Sequence, residues 1–447
     1  MAKNTITKVI KRNGMTVAFD QERITNAIFK SALSIGEEDR SLAQKVSDAV
    51  VASLNENFSD EDPPTVEDIQ DTVVGTLQKL GHHKNARAYR EYRDEHARTR
   101  EEKESQIIVN DTIPYKILWQ VFTWNVDNYC DSIEKINQQI RDGSISKLIQ
   151  AAEVKYHDDV ARLAEKIIKR KKDLRIIIIA GPSSSGKTTT TIKLTEHLKH
   201  QNIDVVPLNL DNYFLDLESH PKDQFGDYDF EVPEALEISL INQHLSDLLN
   251  GKTIEVPRYN FKIGQREEIK TSLSLKSNQI LLIDCLHGLY KPLTASIPDD
   301  FKFKFYIETL CQTRDKKGEF VRWTDIRLMR RMVRDSWQRR YTPVQTVGHW
   351  HYVRRSEMKF IVPYIGNVDF IINGSLPYEL AVHKKYLFKY KDEIISDFEK
   401  EPKRFDAYIR ASRIYELLDS VEELKDDSII PANSLIREFI GGSIYSY

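Results

Sequence analysis

The sequence predicts an α/β protein. Its larger part, residues 173–447, reads as a doubly wound parallel sheet built around a phosphate loop. A small α+β unit at 1–98 precedes it, and a helical connector over 99–172 joins the two. Three patterns carry this reading. The run LRIIIIAG from Leu174 is continuously apolar, as a central parallel strand covered on both faces must be. Strand-like runs then alternate with amphipathic helical segments, the signature of βαβ units. Near the amino terminus, two short strand-like runs flank an Asn-Gly pair and are followed by helical periodicities.

In chain order, ITKVIKR and MTVAF form the first pair of strands, with Asn13-Gly14 supplying the positive φ angles of a tight hairpin. Asp20 is placed to cap a helix through QERITNAIFKSAL, in which Ile24, Ala27, Ile28 and Leu33 recur at helical spacing. Helical patterns follow in RSLAQKVSDAVVASL and, after Pro63-Pro64, in VEDIQDTVVGTLQKL. HKNARAYREYRDEHARTREEK continues as a long charged helix. The connector holds Trp119 and Trp124 and ends in KIIKRKK, where cations suit a helix carboxyl terminus. Beyond LRIIIIAG come the strand-like runs IDVVPLNL, QILLIDCL, FKFKFYI and VDFIIN.

Composition excludes several classes. The 447 residues include 65 basic and 68 acidic side chains, a formal charge of -3, which does not suit a nucleic-acid-coating protein. Three widely spaced cysteines (Cys130, Cys285, Cys311) rule out a disulfide framework and a cysteine zinc site, and point to a reducing compartment, the cytoplasm. No apolar run reaches the length of a membrane span. His82-His83 and His349-x-His351 lack partner ligands for a metal.

The most specific motif is Gly181-Pro-Ser-Ser-Ser-Gly186-Lys187-Thr188, a full G-x-x-x-x-G-K-[ST] placed directly after a buried strand and opening a helix. Its glycines let backbone N–H groups curl around phosphate oxygens at the positive end of the helix. Gly181, Ser183, Ser184, Ser185, Gly186, Lys187, Thr188 and Thr189 are therefore the expected ATP-binding residues. Lys187 would reach the β- and γ-phosphates, and the Thr188 hydroxyl would ligate Mg2+.

Asp211, in LDNYF, falls at the carboxyl end of the second strand, facing the crevice where open α/β sheets bind ligands. There it is placed to accept a proton from an attacking hydroxyl, though an acid at that position also suits a turn cap. Asp284 ends the apolar run QILLID and is the second expected magnesium residue, with a structural strand-end role as its competitor. Arg327, Arg330, Arg331 and Arg334 recur three or four apart in RWTDIRLMRRMVRD. On one helical face they suit a lid that neutralises charge during transfer, against a solvated face or an RNA-binding stripe; Arg331 and Arg334 are its expected catalytic members. Nine arginines fall between Arg322 and Arg355, so the near-neutral total conceals a local basic region.

The pieces GPSSSGKT, LDNYF, DYDFEVPEAL, VPRYNFKIGQR, LLIDCLHGL and DIRLMRRMVRD together resemble the uridine kinase and phosphoribulokinase family of P-loop kinases, over roughly residues 174 to 375. The resemblance implies Asp211 as catalytic base. It also implies Asp229, Tyr259, Phe261 and Arg266 on the acceptor side, where the bare sequence shows only an aromatic-rich turn. Two departures stand out. Lys262-Ile263-Gly264 replaces the histidine such kinases use to read a pyrimidine, and Asp284 stands where they commonly have Glu. The ending IPANSLIREFIGGSIY looks like that of longer bacterial uridine-kinase-like enzymes.

Residues 5 to 95 are similar to the ATP-cone domain, a nucleotide sensor, through Lys11-Arg12, the Asn-Gly turn, Arg23-Ile24 and the Tyr89–Arg93 helix. The similarity implies an allosteric ATP or dATP site at Val9, Lys11, Arg12, Arg23, Tyr89 and Arg93. The combined expectation is a cytoplasmic, homo-oligomeric, Mg2+- and ATP-dependent kinase acting on the 5′-hydroxyl of a nucleoside, with no membrane or nucleic-acid partner. Two readings compete with it: a sugar phosphate or small acid as acceptor, and a nucleotide-sensing assembly with little transfer activity.

Overall fold

A computed structural model describes residues 5–10, 16–93, 113–220, 228, 231–260, 263–339, 341–401 and 404–446. The expected hairpin turn, Lys11, Arg12, Asp229, Phe261 and Lys262 lie outside the described residues, as does the first part of the expected connector. The chain divides into two compact units, Met1–Asn110 with Phe398–Phe405, and Asp111–Asp397 with Asp406–Tyr447.

In the first unit β1 (Lys8–Ile10) pairs antiparallel with β2 (Thr16–Ala18), Val9 opposite Val17. Asp20 accepts from the Glu22 amide and starts α1 (Gln21–Leu33) as its side chain requires. Asp39 does the same for α2 (Arg40–Asn57), and a reciprocal Thr65/Asp68 capping box opens α3 (Val66–Lys79). A helix over 83–93, α4, follows. Ile28, Val46, Val50, Leu54, Val73 and Leu77 are fully buried and form the apolar interior at helical spacing.

The second unit begins with α5 (Tyr115–Asp127), α6 (Ile133–Arg141) and α7 (Ile145–Arg170). These helices are not a free-standing link. α7 lies along the helix that follows the phosphate loop, and the Tyr156 hydroxyl is 2.7 Å from Thr190 Oγ1. Its basic end is held: Arg170 pairs with Asp369 at 3.0 Å and donates to the carbonyls of Asp300 and Lys302.

The sheet comprises β3 (Ile176–Ala180), β4 (Asp204–Asn209), β7 (Gln279–Asp284), β8 (Lys302–Glu308) and β9 (Phe370–Asn373). Between β4 and β7 lie α9 (Ile238–Leu249) and the strands β5 (Ile254–Asn260) and β6 (Gln265–Leu273). All five sheet strands run parallel in the order β4-β7-β3-β8-β9. β3 is central and wholly buried, which is why it reads as unbroken isoleucine. α8 (Lys187–His200) follows β3. α10 (Trp323–Arg334) and α11 (Pro343–Phe360) connect β8 to β9, and α12 (Glu379–Leu387), α13 (Lys391–Glu399), α14 (Phe405–Asp419) and α15 (Arg437–Ile440) complete the chain. No helix among the described residues is long and apolar enough to cross a membrane.

One element differs from expectation. The stretch read as an aromatic-rich turn is the antiparallel hairpin β5–β6, pairing Tyr259 with Arg266 and Ile254 with Leu273. β6 is mostly exposed and charged, so it carries too little apolar alternation to announce itself as a strand.

Candidate active site

The phosphate loop leaves β3 at Gly181 and enters α8 at Lys187. A side chain at Gly181 would meet the Ile307 carbonyl at 2.5 Å, and Gly186 caps α8 at φ +98, so both positions require glycine. Ser184 also takes a positive φ, 62°. The Oγ atoms of Ser184 and Ser185 are buried without a hydrogen-bond partner among the described residues, an arrangement that suits a loop built to receive ligand oxygens. Lys187 Nζ rests on the carbonyls of Gly181 (2.9 Å) and Pro182 (3.2 Å), while Thr188 is exposed at the loop mouth.

The arginines of α10 do not form the exposed lid face expected of them. Arg327 is fully buried, paired bidentately with Glu357 at 2.5 and 2.9 Å and lying 2.8 Å from Glu308, and it donates to the Ser183 carbonyl. Arg330 is likewise buried. It grips Glu379 at 2.6 and 3.1 Å and donates to the carbonyls of Gly374 (2.6 Å) and Ser185 (3.2 Å). These two hold the loop from behind. Charged side chains survive such burial because carboxylates neutralise them, which spacing alone does not reveal. Arg331 reaches Ser183 Oγ at 3.3 Å and also pairs with Glu231 and Asp335. Arg334 is half-buried against Asp335, and burial pushes its pKa down to about 10.

Two acids end adjacent strands. Asp284 closes β7 in register with Asn209 of β4 and Ile179 of β3, and Asp211 follows β4 in the short turn Leu210–Tyr213. Burial raises the pKa of Asp211, with Lys187 and Arg339 opposing. Burial also pushes Asp284 up to about 6; Lys187 opposes, while Asp211 and Glu438 add to the rise. A carboxylate and a hydroxyl, Asp284 and Thr188, are the hard oxygen donors magnesium prefers. That ion commonly uses only one or two protein ligands together with substrate phosphates, so this donor set fits it.

On the acceptor side, Tyr259 lies with its ring 5.5 Å from that of Phe214, and its amide donates to Asn212 Oδ1 at 3.4 Å. Arg266 is engaged with the turn behind it. Its guanidinium donates to the carbonyls of Tyr213 (2.7 Å) and Phe214 (2.8 Å) and pairs with Glu237, so it braces the turn carrying Asp211. Glu231 was not anticipated. It is buried, pairs with Arg331 at 3.2 Å, and lies 3.7 Å from His349 Nε2. Burial alone would raise its pKa, yet Arg331 and His349 hold it at about 2. It sits inside the quoted DYDFEVPEAL segment, two residues past Asp229; its ion pair with α10 is a tertiary fact.

In the first unit Val9 is half-buried on β1, Arg23 pairs with Asp20, and Arg93 pairs with Asp71 at 2.7 Å. Tyr89 is buried at 4% exposure, and burial pushes its pKa up to about 12, so its ring is core and not an exposed ligand platform.

A parallel sheet, a phosphate loop and two crevice acids define a nucleotide-binding P-loop protein. Comparison with known proteins makes this specific. Residues 176–378 match the Phosphoribulokinase / Uridine kinase family, and residues 7–98 match the ATP cone domain. The uridine kinase of Deinococcus deserti is 29% identical over 198 residues, covering 44% of this chain and 86% of that protein. The uridine kinase of Macrococcus caseolyticus is 27% identical over 198 residues, with the same coverages of 44% and 86%. A solved structure described as a possible uridine kinase from Bacillus stearothermophilus overlays with TM-score 0.34 and 16% identity, covering 48% of this chain and 97% of that one. The chain thus contains one region that matches the Phosphoribulokinase / Uridine kinase family and another that matches the ATP cone domain, and it is an ATP-dependent kinase.

The Glu231–Arg331 pair gives a test of this geometry. A carboxyl held low in the folded state contributes stability above its unfolded pKa, about 4.5, and loses it as pH falls through about 2. Glu231→Gln should therefore destabilise the protein near neutrality, because buried Arg331 loses one of its two carboxylate partners among the described residues and keeps only Asp335. Denaturant midpoints taken from pH 7 downward should show the gap between variant and wild type narrowing below pH 4.5. A gap independent of pH would contradict the assigned pair.

Proposed function

We propose that this kinase transfers the γ-phosphoryl group of ATP to the 5′-hydroxyl of a nucleoside, and that ATP or dATP at the amino-terminal unit adjusts that activity. The observation that carries the reading is the placement of Asp211. It follows the strand neighbouring β7 at the carboxyl edge of the sheet, close enough to Lys187 for their charges to interact. A base poised there receives the hydroxyl proton as the oxygen attacks phosphorus, and burial moves its pKa toward neutrality, which suits proton transfer. The P-loop amides and Lys187 hold the phosphates, while Arg331, which reaches Ser183 of the loop, and Arg334 neutralise charge developing during transfer. Magnesium, held by Thr188 and Asp284 with the phosphates, supplies charge neutralisation during transfer. Acceptor recognition falls to Tyr259, Phe261 and Asp229, with Arg266 bracing the Asp211 turn.

The uridine kinases matched above support a nucleoside as acceptor. The ATP cone supports a second nucleotide site at Val9, Lys11, Arg12 and Arg23. The cations of Lys11, Arg12 and Arg23 are of the kind a triphosphate needs. Homo-oligomer formation belongs to the same proposal, since a sensor of this kind acts through subunit contacts.

Two outcomes follow. Asp211→Asn should bind ATP as wild type does in a calorimetric titration while turning over about 10²–10⁴ times more slowly; undiminished transfer would remove Asp211 from the mechanism. In the full chain, Lys11→Ala with Arg12→Ala should leave effector-free activity intact. It should abolish the change in rate and in scattering mass on adding dATP. A dATP response equal to wild type would overturn the assigned effector site.

A further inference from the structure

The carboxyl-terminal segment, whose sequence gave no hint of a role, is built into the phosphate site. The first amides of α8 have no partner within the helix, and such amides make an anion site. One of them belongs to Thr189, which the loop motif made an expected ATP-binding residue, and it is already engaged. The Thr189 amide donates to Glu438 Oε2 at 3.1 Å, and the Thr189 hydroxyl donates to the same oxygen at 2.7 Å. The two residues are 249 positions apart, and Glu438 is only 5% exposed.

The segment bearing Glu438 is firmly seated. Ser434, Leu435, Ile436 and Phe439 are completely buried. Leu435 packs on Gly186 so closely that a β-carbon there would stand 2.6 Å from it. Trp337 donates its indole N–H to the Phe439 carbonyl at 2.7 Å, and the Phe439 ring lies 5.0 Å from the Arg330 guanidinium. Ser434 donates to Glu153 on α7 at 2.5 Å. Packing of this kind makes the segment a permanent wall and not a plug that leaves. Burying a carboxylate is costly without donors, and here both donors belong to one residue of the phosphate-binding helix.

We infer that Glu438 is a positioning residue for phosphoryl transfer. By engaging Thr189 it withholds that amide from the nucleotide and sets where the phosphates seat along the amino end of α8. The phosphates then bind the amides nearer Gly186, toward Asp211 and Asp284. This inference rests on the phosphate-loop reading of the kinase site.

The test uses the full chain with ATP, magnesium and uridine. Glu438→Ala frees the Thr189 amide and removes a negative charge. It should bind ATP at least as tightly as wild type, yet its kcat should fall about 10- to 100-fold, the size of effect that misplacement by about an ångström produces. Glu438→Gln keeps an acceptor oxygen for Thr189 and should restore most of kcat. A merely structural role would lower thermal stability and raise KM without that split. An unchanged kcat in Glu438→Ala, or no recovery in Glu438→Gln, overturns the inference. Should Glu438→Ala not fold, Glu438→Leu fills the same buried space without an acceptor oxygen, so it also frees the Thr189 amide and must give the same kcat-selective loss, and its absence is equally fatal. Lys187→Ala serves as the control: full activity there would mean that the phosphate-loop reading itself has failed.

Discussion

The phosphate loop keeps its shape because two buried guanidinium groups hold its carbonyls. Arg327 takes Ser183 and Arg330 takes Ser185, each with its charge balanced by a carboxylate from a distant element, Glu357 on α11 and Glu379 on α12. Trans peptides direct N–H and C=O to opposite sides, so carbonyls committed to α10 free the amides for a ligand on the other side. A buried pair of this kind adds little to net stability compared with apolar packing, but losing one partner costs about 3–5 kcal/mol. Its value here is geometric. β8, α10, α11, β9 and α12 are tied into one network, and Gly374 sits so close behind Ser185 that a β-carbon there would lie 2.7 Å from the Ser185 carbonyl.

In front of the loop the electrostatics run the other way. Asp211 and Asp284 lack formal ion pairs among the described residues, and burial raises the pKa of each; Glu231, which is less exposed than either, is held at about 2 by its cations. The difference separates roles. Glu231 is a fixed charge that ties the segment after Asp229 to α10, whereas a carboxyl raised toward neutrality is suited to exchanging protons or accepting a cation. Arg266 belongs with the fixed charges, because it pairs with Glu237 and donates to the carbonyls of Tyr213 and Phe214 beside Asp211.

Much of this architecture was legible in the sequence, since periodicity and the loop motif are local. The five sheet strands, the Asp20 cap and the entry to α8 follow from neighbours along the chain. What escaped are tertiary pairings. A row of arginines at helical spacing looks the same whether it faces solvent or carboxylates from β8, α11 and α12, so Arg327 and Arg330 read as lid residues. The hairpin β5–β6 escaped because an exposed strand has no apolar alternation. Tyr89 entered the effector site through the resemblance to the ATP cone, and its burial depends on packing that the local sequence does not show. Glu438 had no local signal at all, and its contact with Thr189 exists only once the last turn of the chain is packed on α8.

The central claim is that this arrangement phosphorylates a nucleoside at its 5′-hydroxyl. The most direct measurement supplies the full chain with ATP, magnesium and a mixed panel of ribonucleosides, deoxyribonucleosides, sugar phosphates and small hydroxy acids, and identifies products by mass and fragmentation. The expected result is a nucleoside 5′-monophosphate formed with one ADP per product. A phosphorylated sugar or acid with every nucleoside unchanged, or ADP without any phosphorylated acceptor, would contradict it.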